Sequence, residues 1–426
     1  MKKGKNIDQI LKEVLEKIKP SEKEMKDVKE TLTNYLKIME NNRRSSRINA
    51  EIFVGGSFAK KTMIKKDSYD IDIFMRFDKK YKNEILSDLT EKILPKTNVS
   101  RIHGSRDYFR IKAGENLFLE VIPVRKVQNP KEAENVTDLS YSHVNYIKKK
   151  VKSEKLLDEI MLAKAFCYAN GSYGAESYIR GFSGYAIELL VYKYKSFLNF
   201  IKAIIKVKGK EVIDIEKRHK RKSSILMDLN EAKLKSPIIL IDPTYKQRNV
   251  LAALSVETFL VFKKMCSEFL KNPSIKFFQV KILDLEKIKK EAEKRGYKLA
   301  VVKIRTEKQE GDIAGSKLLK FYRHLNSEAQ EFFEIKAKGF EYNGKKEVRA
   351  FFVGKRRSEI IVSGPEIKDK ENVRKFRLKH KVVSVKNSRL YAKVRVESTL
   401  KQFLENWKEK NQKKMKDMYI MGLNID

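Results

Sequence analysis

The chain has 426 residues, of which 41% are hydrophobic and 35% charged, and its formal net charge is +38. At roughly 100–200 residues per domain, this length predicts two to four domains, and the hydrophobic content excludes a disordered chain. The excess of positive charge favours nucleic acid as a partner over an anionic membrane or a lysine-rich surface that merely contacts water.

Cysteine and histidine are too few and too scattered for a disulfide framework or a four-ligand zinc site. The two cysteines are Cys167 and Cys266, and the five histidines show no zinc spacing. The sequence contains no run of about 18 apolar residues, which is the length needed to span a membrane. The N-terminal segment alternates charged and apolar residues, unlike a secretory signal. We therefore expect a cytoplasmic protein with no membrane segment.

Two helices are predicted at the N-terminus. Apolar residues recur at helical spacing from Ile7 to Ile18, and Pro20 ends the run. Ser21 and Glu24 then form a capping-box pattern ahead of a second apolar series.

Short β-rich segments follow these helices. Residues 52–54 lead into a Gly-Gly-Ser turn, and residues 70–77 alternate polar and apolar side chains. Residues 108–112 and 117–124 predict a hairpin around Gly114. This region is predicted to be α/β with a small mixed or antiparallel sheet.

The remainder alternates helical and strand-like patterns. An apolar helical region covers 146 to about 205, a basic exposed loop or helix end covers 215–224, and a further helix follows Asn249. The later elements are predicted strands at 275–280, 298–305, 348–354 and 359–364, and predicted helices at 284–296, 315–332 and around 400–407.

The stretch from Gly55 to Phe74 carries the most chemical information. Gly55 and Gly56 lack Cβ atoms and allow close backbone approach, so the turn's N–H groups and the Ser57 hydroxyl are suited to a triphosphate. On a strand, Asp70 and Asp72 project to the same side. Paired carboxylates suit divalent cations, and two such ions can activate a hydroxyl and stabilise leaving pyrophosphate.

Glu120 is the candidate third carboxylate. It interrupts the apolar run LFLEVIPV, where an unpaired buried charge would be costly. Each feature alone has an ordinary explanation: a solvated strand face, a turn or a salt bridge. Their combination in this order favours a catalytic metal site.

The same residues carry a resemblance to a known superfamily. GGSFAKKT followed by DIDIF resembles the signature of polymerase-β-like nucleotidyltransferases. Four further stretches are similar to archaeal-type, class I CCA-adding enzymes, which are tRNA nucleotidyltransferases, and they keep the family's order over nearly the whole chain: residues 158–194, 242–255, 272–278 and 364–380.

The resemblance implies roles for individual residues. The metal-binding carboxylates match Asp70, Asp72 and Glu120, although the family usually has Asp at the third position. The nucleotide-binding positions match Gly56, Ser57, Lys60 (usually Arg), Ser140 (usually Thr), His143, Lys164, Tyr173 and Arg248, the last of which helps to select the base. Arg106-Asp107 stands where the family commonly has a His-Pro pair.

The resemblance also implies an α+β multidomain architecture. A nucleotidyltransferase head with the N-terminal helices would span 1–145, and a helical neck closing over the nucleotide would span 146–250. A body would combine 251–290 with 385–426, and an α/β tail that binds tRNA would span 291–384.

The expected activity is template-independent addition of C, C and A to the tRNA 3′ end from CTP and ATP, with Mg²⁺ as cofactor. The tRNA would be held at its acceptor stem and T arm, and a homodimer is compatible with the family. Two alternatives stay open: another RNA terminal nucleotidyltransferase such as a poly(A) polymerase, and an inactive RNA-binding relative.

Overall fold

The computed structural model describes residues 6–104, 106–280, 283–380 and 382–426. The chain divides into two compact units, Met1–Lys281 and Ile282–Asp426. Helices and sheets mix in both units, which confirms the predicted α+β multidomain class. The finer division into head, neck, body and tail stays a prediction. Among the described residues, no helix combines the length and the apolar content that crossing a bilayer requires.

The first unit opens with the two predicted helices, α1 (Ile7–Ile18) and α2 (Glu22–Ser45). The predicted capping box is present at the start of α2. The Ser21 N–H donates to the Glu24 carboxylate at 2.7 Å, and the Glu24 N–H donates to the Ser21 hydroxyl at 3.2 Å. These bonds satisfy N–H groups that a helix start leaves unpaired.

A five-stranded mixed sheet follows, and it supplies the platform of the site. Its elements, in chain order, are β1 (Ala50–Val54), α3 (Gly56–Ala59), β2 (Tyr69–Phe77), α4 (Leu86–Ile93), β3 (Val99–Ile102), β4 (Tyr108–Lys112) and β5 (Leu117–Arg125). The strand order is β1-β2-β5-β4-β3; β2 and β5 are parallel and the other neighbours antiparallel. The hairpin predicted around Gly114 is therefore confirmed.

The face of this sheet that packs on α2 and α4 is apolar. Ile71 and Ile73 of β2 are fully buried there, in a core shared with Leu32 and Leu86. Because side chains alternate along a strand, the intervening aspartates lie on the opposite face.

A mainly helical region completes the first unit. Its elements are α5 (Ser140–Lys150), α6 (Glu154–Ala169), α7 (Gly184–Tyr194), α8 (Phe197–Lys206), β6 (Glu211–Ile213), α9 (Lys222–Asp228), β7 (Ile238–Asp242), β8 (Tyr245–Asn249) and α10 (Val256–Lys271). Helices α6, α7, α8 and α10 share one core with α1. The predicted helical pattern is confirmed.

The strand predicted over 275–280 is wrong. Ile275–Phe278 forms a 3₁₀ turn, and the Ser274 hydroxyl caps it by accepting from the Lys276 N–H. Phe277 and Phe278 pack against Phe166, with ring centroids 6.4 and 5.4 Å apart. Packing into a helical core, rather than strand pairing, satisfies this short apolar run.

The second unit contains two antiparallel sheets and several helices. Its elements are α11 (Leu285–Glu293), β9 (Lys298–Thr306), α12 (Asp312–Phe332), β10 (Phe333–Tyr342), β11 (Glu347–Arg356), β12 (Glu359–Glu366), α13 (Lys370–Lys379), β13 (Val383–Lys386), β14 (Arg389–Arg395), α14 (Leu400–Lys410), α15 (Gln412–Asp417) and β15 (Ile420–Ile425). One sheet has the order β10-β11-β9-β15 and the other β12-β14-β13. Helices α12 and α14 pack on the first of these sheets.

Candidate active site

The three predicted carboxylates lie on neighbouring parallel strands. Asp70 and Asp72 are two residues apart on β2, and Asp72 is directly opposite Glu120 of β5 in the strand register. All three therefore belong to the same face of the sheet, away from the α2/α4 core. The structure brings together the acidic groups that the sequence singled out.

The turn before this face requires glycine. Gly56 has φ +60°, and a Cβ atom at this position would lie 1.7 Å from Asp72 Oδ2. The Gly55 N–H donates to the Asp72 carbonyl at 2.8 Å. The absence of a side chain thus lets the turn that carries Ser57 pass directly over the Asp72 carboxylate.

Burial and neighbouring carboxylates raise the pKa values of Asp72 and Glu120. Burial raises the pKa of Asp72, and the Asp70 charge adds to this while Lys60 opposes it. Burial, followed by the charges of Asp72 and Asp70, raises the pKa of Glu120 to about 7. This concentration of repelling carboxylates is the chemistry of a site for a divalent cation.

Arg110 of β4 is the cation that contacts this group in the structure. Its Nη2 donates to Asp70 Oδ1 at 2.8 Å, and its Nε lies 3.9 Å from Glu120 Oε1. The buried Nε has no hydrogen-bond partner, and the guanidinium carbon lies 4.0 Å from the ring centroid of Phe118.

The donor set suits a divalent cation, but its side chains are not gathered around one point. No group of three or more acidic, histidine or cysteine side chains in the described part of the chain converges as a ligand set for one ion. Arg110, paired with Asp70 and near Glu120, partly neutralises the group instead. Sequence reasoning missed Arg110, although the register of the predicted hairpin sets it opposite Glu120.

Beside the carboxylates is a cleft of about 160 Å³. The polar groups on its walls include those of Ser57, Lys66, Asp70, Asp72, Lys164 and Tyr173. Lys66 lies 5.2 Å from the Tyr173 ring centroid, and burial raises the pKa of the Tyr173 hydroxyl. Gly184 makes room for this tyrosine, because a Cβ there would lie 2.9 Å from Tyr173 Oη.

Two predicted nucleotide-binding lysines share a buried carboxylate that sequence reasoning missed. Lys60 Nζ and Lys164 Nζ each lie 2.7 Å from a different oxygen of Glu188 on α7. The Thr62 hydroxyl also donates to Glu188, at 3.0 Å. Burial raises the pKa of Glu188, but the two lysines outweigh this and hold it at about 2.

A second cluster forms around Asp242 at the end of β7. Its carboxylate lies 2.9 Å from His143 Nε2 and accepts from Arg248 Nη1 at 2.7 Å and from the Tyr185 hydroxyl at 3.2 Å. Burial lowers the pKa of His143 despite the nearby carboxylate. His143 is therefore neutral near pH 7 and donates from Nε2 to Asp242. The predicted residue Ser140 precedes His143 by one turn on α5.

Arg106 and Asp107, which replace the family's His-Pro pair, make structural contacts. Arg106 Nη1 donates to Asp138 at 2.5 Å, and its Nη2 donates to Asn83 Oδ1 at 3.0 Å. Asp107 accepts from Arg101 Nε at 2.8 Å.

Comparisons with known families and structures agree with this geometry. The family models described as "Nucleotidyltransferase domain" and "tRNA nucleotidyltransferase, second domain" match residues 34–128 and 158–279. A solved structure of Cid1, from work on its RNA terminal uridylyl transferase activity, aligns with a TM-score of 0.50 at 14% identity over 65% of this chain and 98% of that one. At that identity the likeness concerns the fold alone.

Curated relatives extend the similarity along the chain. The CCA-adding enzyme of Nanoarchaeum equitans is 38% identical over 65% of this chain and 66% of its own length. Those of Methanocaldococcus jannaschii and Archaeoglobus fulgidus are 32% and 28% identical, covering 91% and 87% of this chain and 87% and 82% of theirs. With 32% identity over nine-tenths of its length, this chain belongs to the CCA-adding enzyme family of tRNA nucleotidyltransferases.

Proposed function

We propose that this protein adds C, C and A to the 3′ end of tRNA, using CTP and ATP and no nucleic-acid template. One observation carries the proposal: Asp70, Asp72 and Glu120 lie on one sheet face beneath the Gly55-Gly56 turn, in a chain similar to CCA-adding enzymes over 91% of its length.

Asp70, Asp72 and Glu120 would hold the divalent cations that such nucleotidyltransferases use. We propose Mg²⁺, because the available ligands are carboxylates and substrate phosphates. When bound, these ions would lower the pKa of the tRNA 3′-hydroxyl and neutralise charge on the departing pyrophosphate. The strand register fixes the backbone positions of these residues on one face, and their side chains would gather around the bound ions.

The nucleotide's triphosphate would lie in the cleft beside the carboxylates. The Gly56 backbone, the Ser57 and Tyr173 hydroxyls and the Lys60 ammonium group would contact it, and the Lys164 charge would attract it. Ser140 and His143 would contact the nucleotide from α5, where Asp242 orients the neutral imidazole of His143.

Arg248 would contribute to the choice of base. Asp242 fixes one edge of its guanidinium through Nη1, and the Arg248 side chain is 21% exposed. The same residue lines a cavity of about 370 Å³ together with Tyr245 and Asn249. A planar guanidinium held at one edge presents its remaining N–H groups in a defined direction, as recognition of a base edge requires.

The acceptor stem and T arm of tRNA would be held by charge and shape. The net charge of +38 attracts the phosphate backbone, and A-form RNA hides the major-groove edges that sequence reading would need. Residues 291–384 would act as the tRNA-binding tail, and a homodimer is compatible with this reaction. We propose a cytoplasmic location, consistent with the free, buried Cys167 and Cys266.

The test is to incubate the protein with tRNA that lacks its CCA end, supply each NTP singly and together, and read the 3′ ends. Ordered addition of two C and one A supports the proposal. A run of A residues would indicate a poly(A) polymerase. No extension and no Mg²⁺-dependent pyrophosphate release, with tRNA binding retained, would indicate an inactive relative.

A further inference from the structure

Glu188 is the most deeply buried charged group near the proposed triphosphate cleft. Its side chain is 0% exposed, and it lies on α7 among apolar neighbours such as Leu189 and Leu190. An acidic side chain is almost never fully buried unless it is paired, because desolvating its charge is costly. The role of Glu188 can therefore be inferred from the residues that bind its carboxylate.

Those partners are two cations that face the catalytic carboxylates. Lys60 approaches one Glu188 oxygen and Lys164 the other, each at 2.7 Å. Burial raises the pKa of Asp72 and both lysine charges oppose this, and Lys164 lines the cleft together with Asp72. The two ammonium groups thus interact both with the buried Glu188 carboxylate and with Asp72 of the proposed metal-binding face.

The hydrogen bonds of Lys164 leave it little freedom. Its Nζ donates to Glu188 Oε1 at 2.7 Å, to the Thr62 hydroxyl at 2.7 Å and to the Thr62 carbonyl at 3.3 Å. An ammonium group has three N–H donors, so all of them are used. Lys164 therefore acts as a fixed positive charge, and its orientation depends on Glu188 and Thr62 together.

We infer that Glu188 is a positioning residue that holds Lys60 and Lys164 in place, and charged, for an incoming triphosphate. The inference rests on the proposed function, since it takes the triphosphate of CTP or ATP as the ligand. Two ammonium groups around one carboxylate leave one net positive charge, which attracts a polyanion. Without the carboxylate the two cations would repel each other, and a buried ammonium would lose its proton more readily.

The electrostatics of Lys164 agree with this role. Burial lowers the pKa of Lys164 to about 8; Glu188 opposes the decrease, whereas Lys60 and Lys66 add to it. The titratable groups interacting with this part of the cleft include Glu188, Lys60, Lys66, Asp70, Asp72, Tyr173 and Glu176. Replacing Glu188 by a neutral residue removes the partner that keeps Lys164 protonated. Triphosphate affinity should then decrease at a lower pH than in the parent protein.

The experiment compares Glu188→Gln with the parent, using inorganic triphosphate alone as the probe and calorimetry without tRNA. We expect Glu188→Gln to weaken triphosphate binding tenfold or more at pH 8, with a smaller loss at pH 6.5. The KM values for CTP and ATP should rise by a similar factor, and kcat should change less. Glu188→Asp, one methylene shorter, should recover part of the affinity.

Glu216→Gln is the matched control. The Glu216 carboxylate is likewise bound by side chains, Tyr146 at 2.5 Å and Lys150 at 2.8 Å, but neither partner lines the cleft, whereas the Glu188 partner Lys164 does. This variant should bind triphosphate like the parent.

Parent-like triphosphate affinity at both pH values in folded Glu188→Gln would overturn the inference. If that variant does not fold, parent-like affinity in Glu188→Asp would overturn it as well. Because binding is measured without tRNA, failure of the parent to add C or A would count against the proposed function and not against the role of Glu188.

Discussion

Glu120→Gln should stabilise the protein in the absence of divalent cations while it abolishes nucleotide addition. Burial and the charges of Asp72 and Asp70 raise the pKa of Glu120 from 4.5 to about 7. Since the folded-state pKa lies above the unfolded value, the protonated form favours folding. This contribution is fully present below the unfolded pKa and is lost as the pH rises through about 7.

The magnitude follows from the shift. The rise of the Glu120 pKa from 4.5 to about 7 corresponds to about 3.5 kcal/mol at roughly 1.4 kcal/mol per pKa unit. We take about 2 kcal/mol because the side chain keeps 28% of its surface in water. Glutamine is neutral at every pH. The free energy of unfolding should therefore rise by about 2 kcal/mol at pH 8, and by less than about 1 kcal/mol at pH 5, where much of the parent's penalty is already absent.

The assay must measure the stability of the first unit, because Glu120 lies there. The single tryptophan, Trp407, belongs to the second unit, so its fluorescence serves only as an internal control. Hydrogen exchange of peptides from β2 and β5, in EDTA at pH 5 and 8, reports local stability where Glu120 lies. Reduced protection in Glu120→Gln at pH 8, or an equal gain at both pH values, would refute the reasoning. Glu216→Gln should show no gain, because hydrogen bonds from Lys150 and Tyr146 lower the pKa of Glu216.

Four further outcomes are expected. Asp70→Asn and Asp72→Asn should each abolish nucleotide addition and leave tRNA binding intact. Activity within tenfold of the parent in both variants would exclude the role of these aspartates as metal ligands. Arg110→Gln should raise Mn²⁺ affinity several-fold in calorimetry without nucleotide, since a competing positive charge is removed; unchanged affinity would contradict this. Arg248→Ala should lower discrimination of CTP and ATP against UTP and GTP, whereas a uniform loss would indicate a phosphate or tRNA contact. If about six phosphates are contacted, tRNA affinity should fall about a thousandfold between 50 and 200 mM salt. A minihelix of only the acceptor stem and T arm should be extended nearly as well as tRNA. A requirement for the anticodon arm would contradict this mode of binding.

The carboxylate face was predictable because its causes are local. Alternation along β2 fixes the side on which Asp70 and Asp72 lie, and a Gly-rich turn next to a strand indicates close backbone approach. The hairpin around Gly114 likewise follows from nearby residues. The strand expected at 275–280 failed because a short apolar run also suits a buried turn, and only the aromatic core around Phe166 decides between them.

Glu188 and Asp242 were missed because their partners are distant in sequence. Lys60 is 128 residues from Glu188, and His143 is 99 residues from Asp242. A signal was nevertheless available. Glu188 is a single acidic residue in the apolar helical stretch YAIELLVY, and the reasoning that selected Glu120 in its apolar strand applies equally to it.

Helix α7 connects the two polar clusters of the candidate site. Tyr185 and Glu188 are three residues apart and therefore lie on one face of the helix; the first contacts Asp242 and the second contacts Lys60. The Lys60 charge also contributes to the lowered pKa of His143, so the clusters are within electrostatic range. Because one rigid helix carries both contacts, a displacement of α7 would alter the proposed triphosphate and base-selecting groups together. Single substitutions at Tyr185 and Glu188 would instead separate the effects on the two clusters.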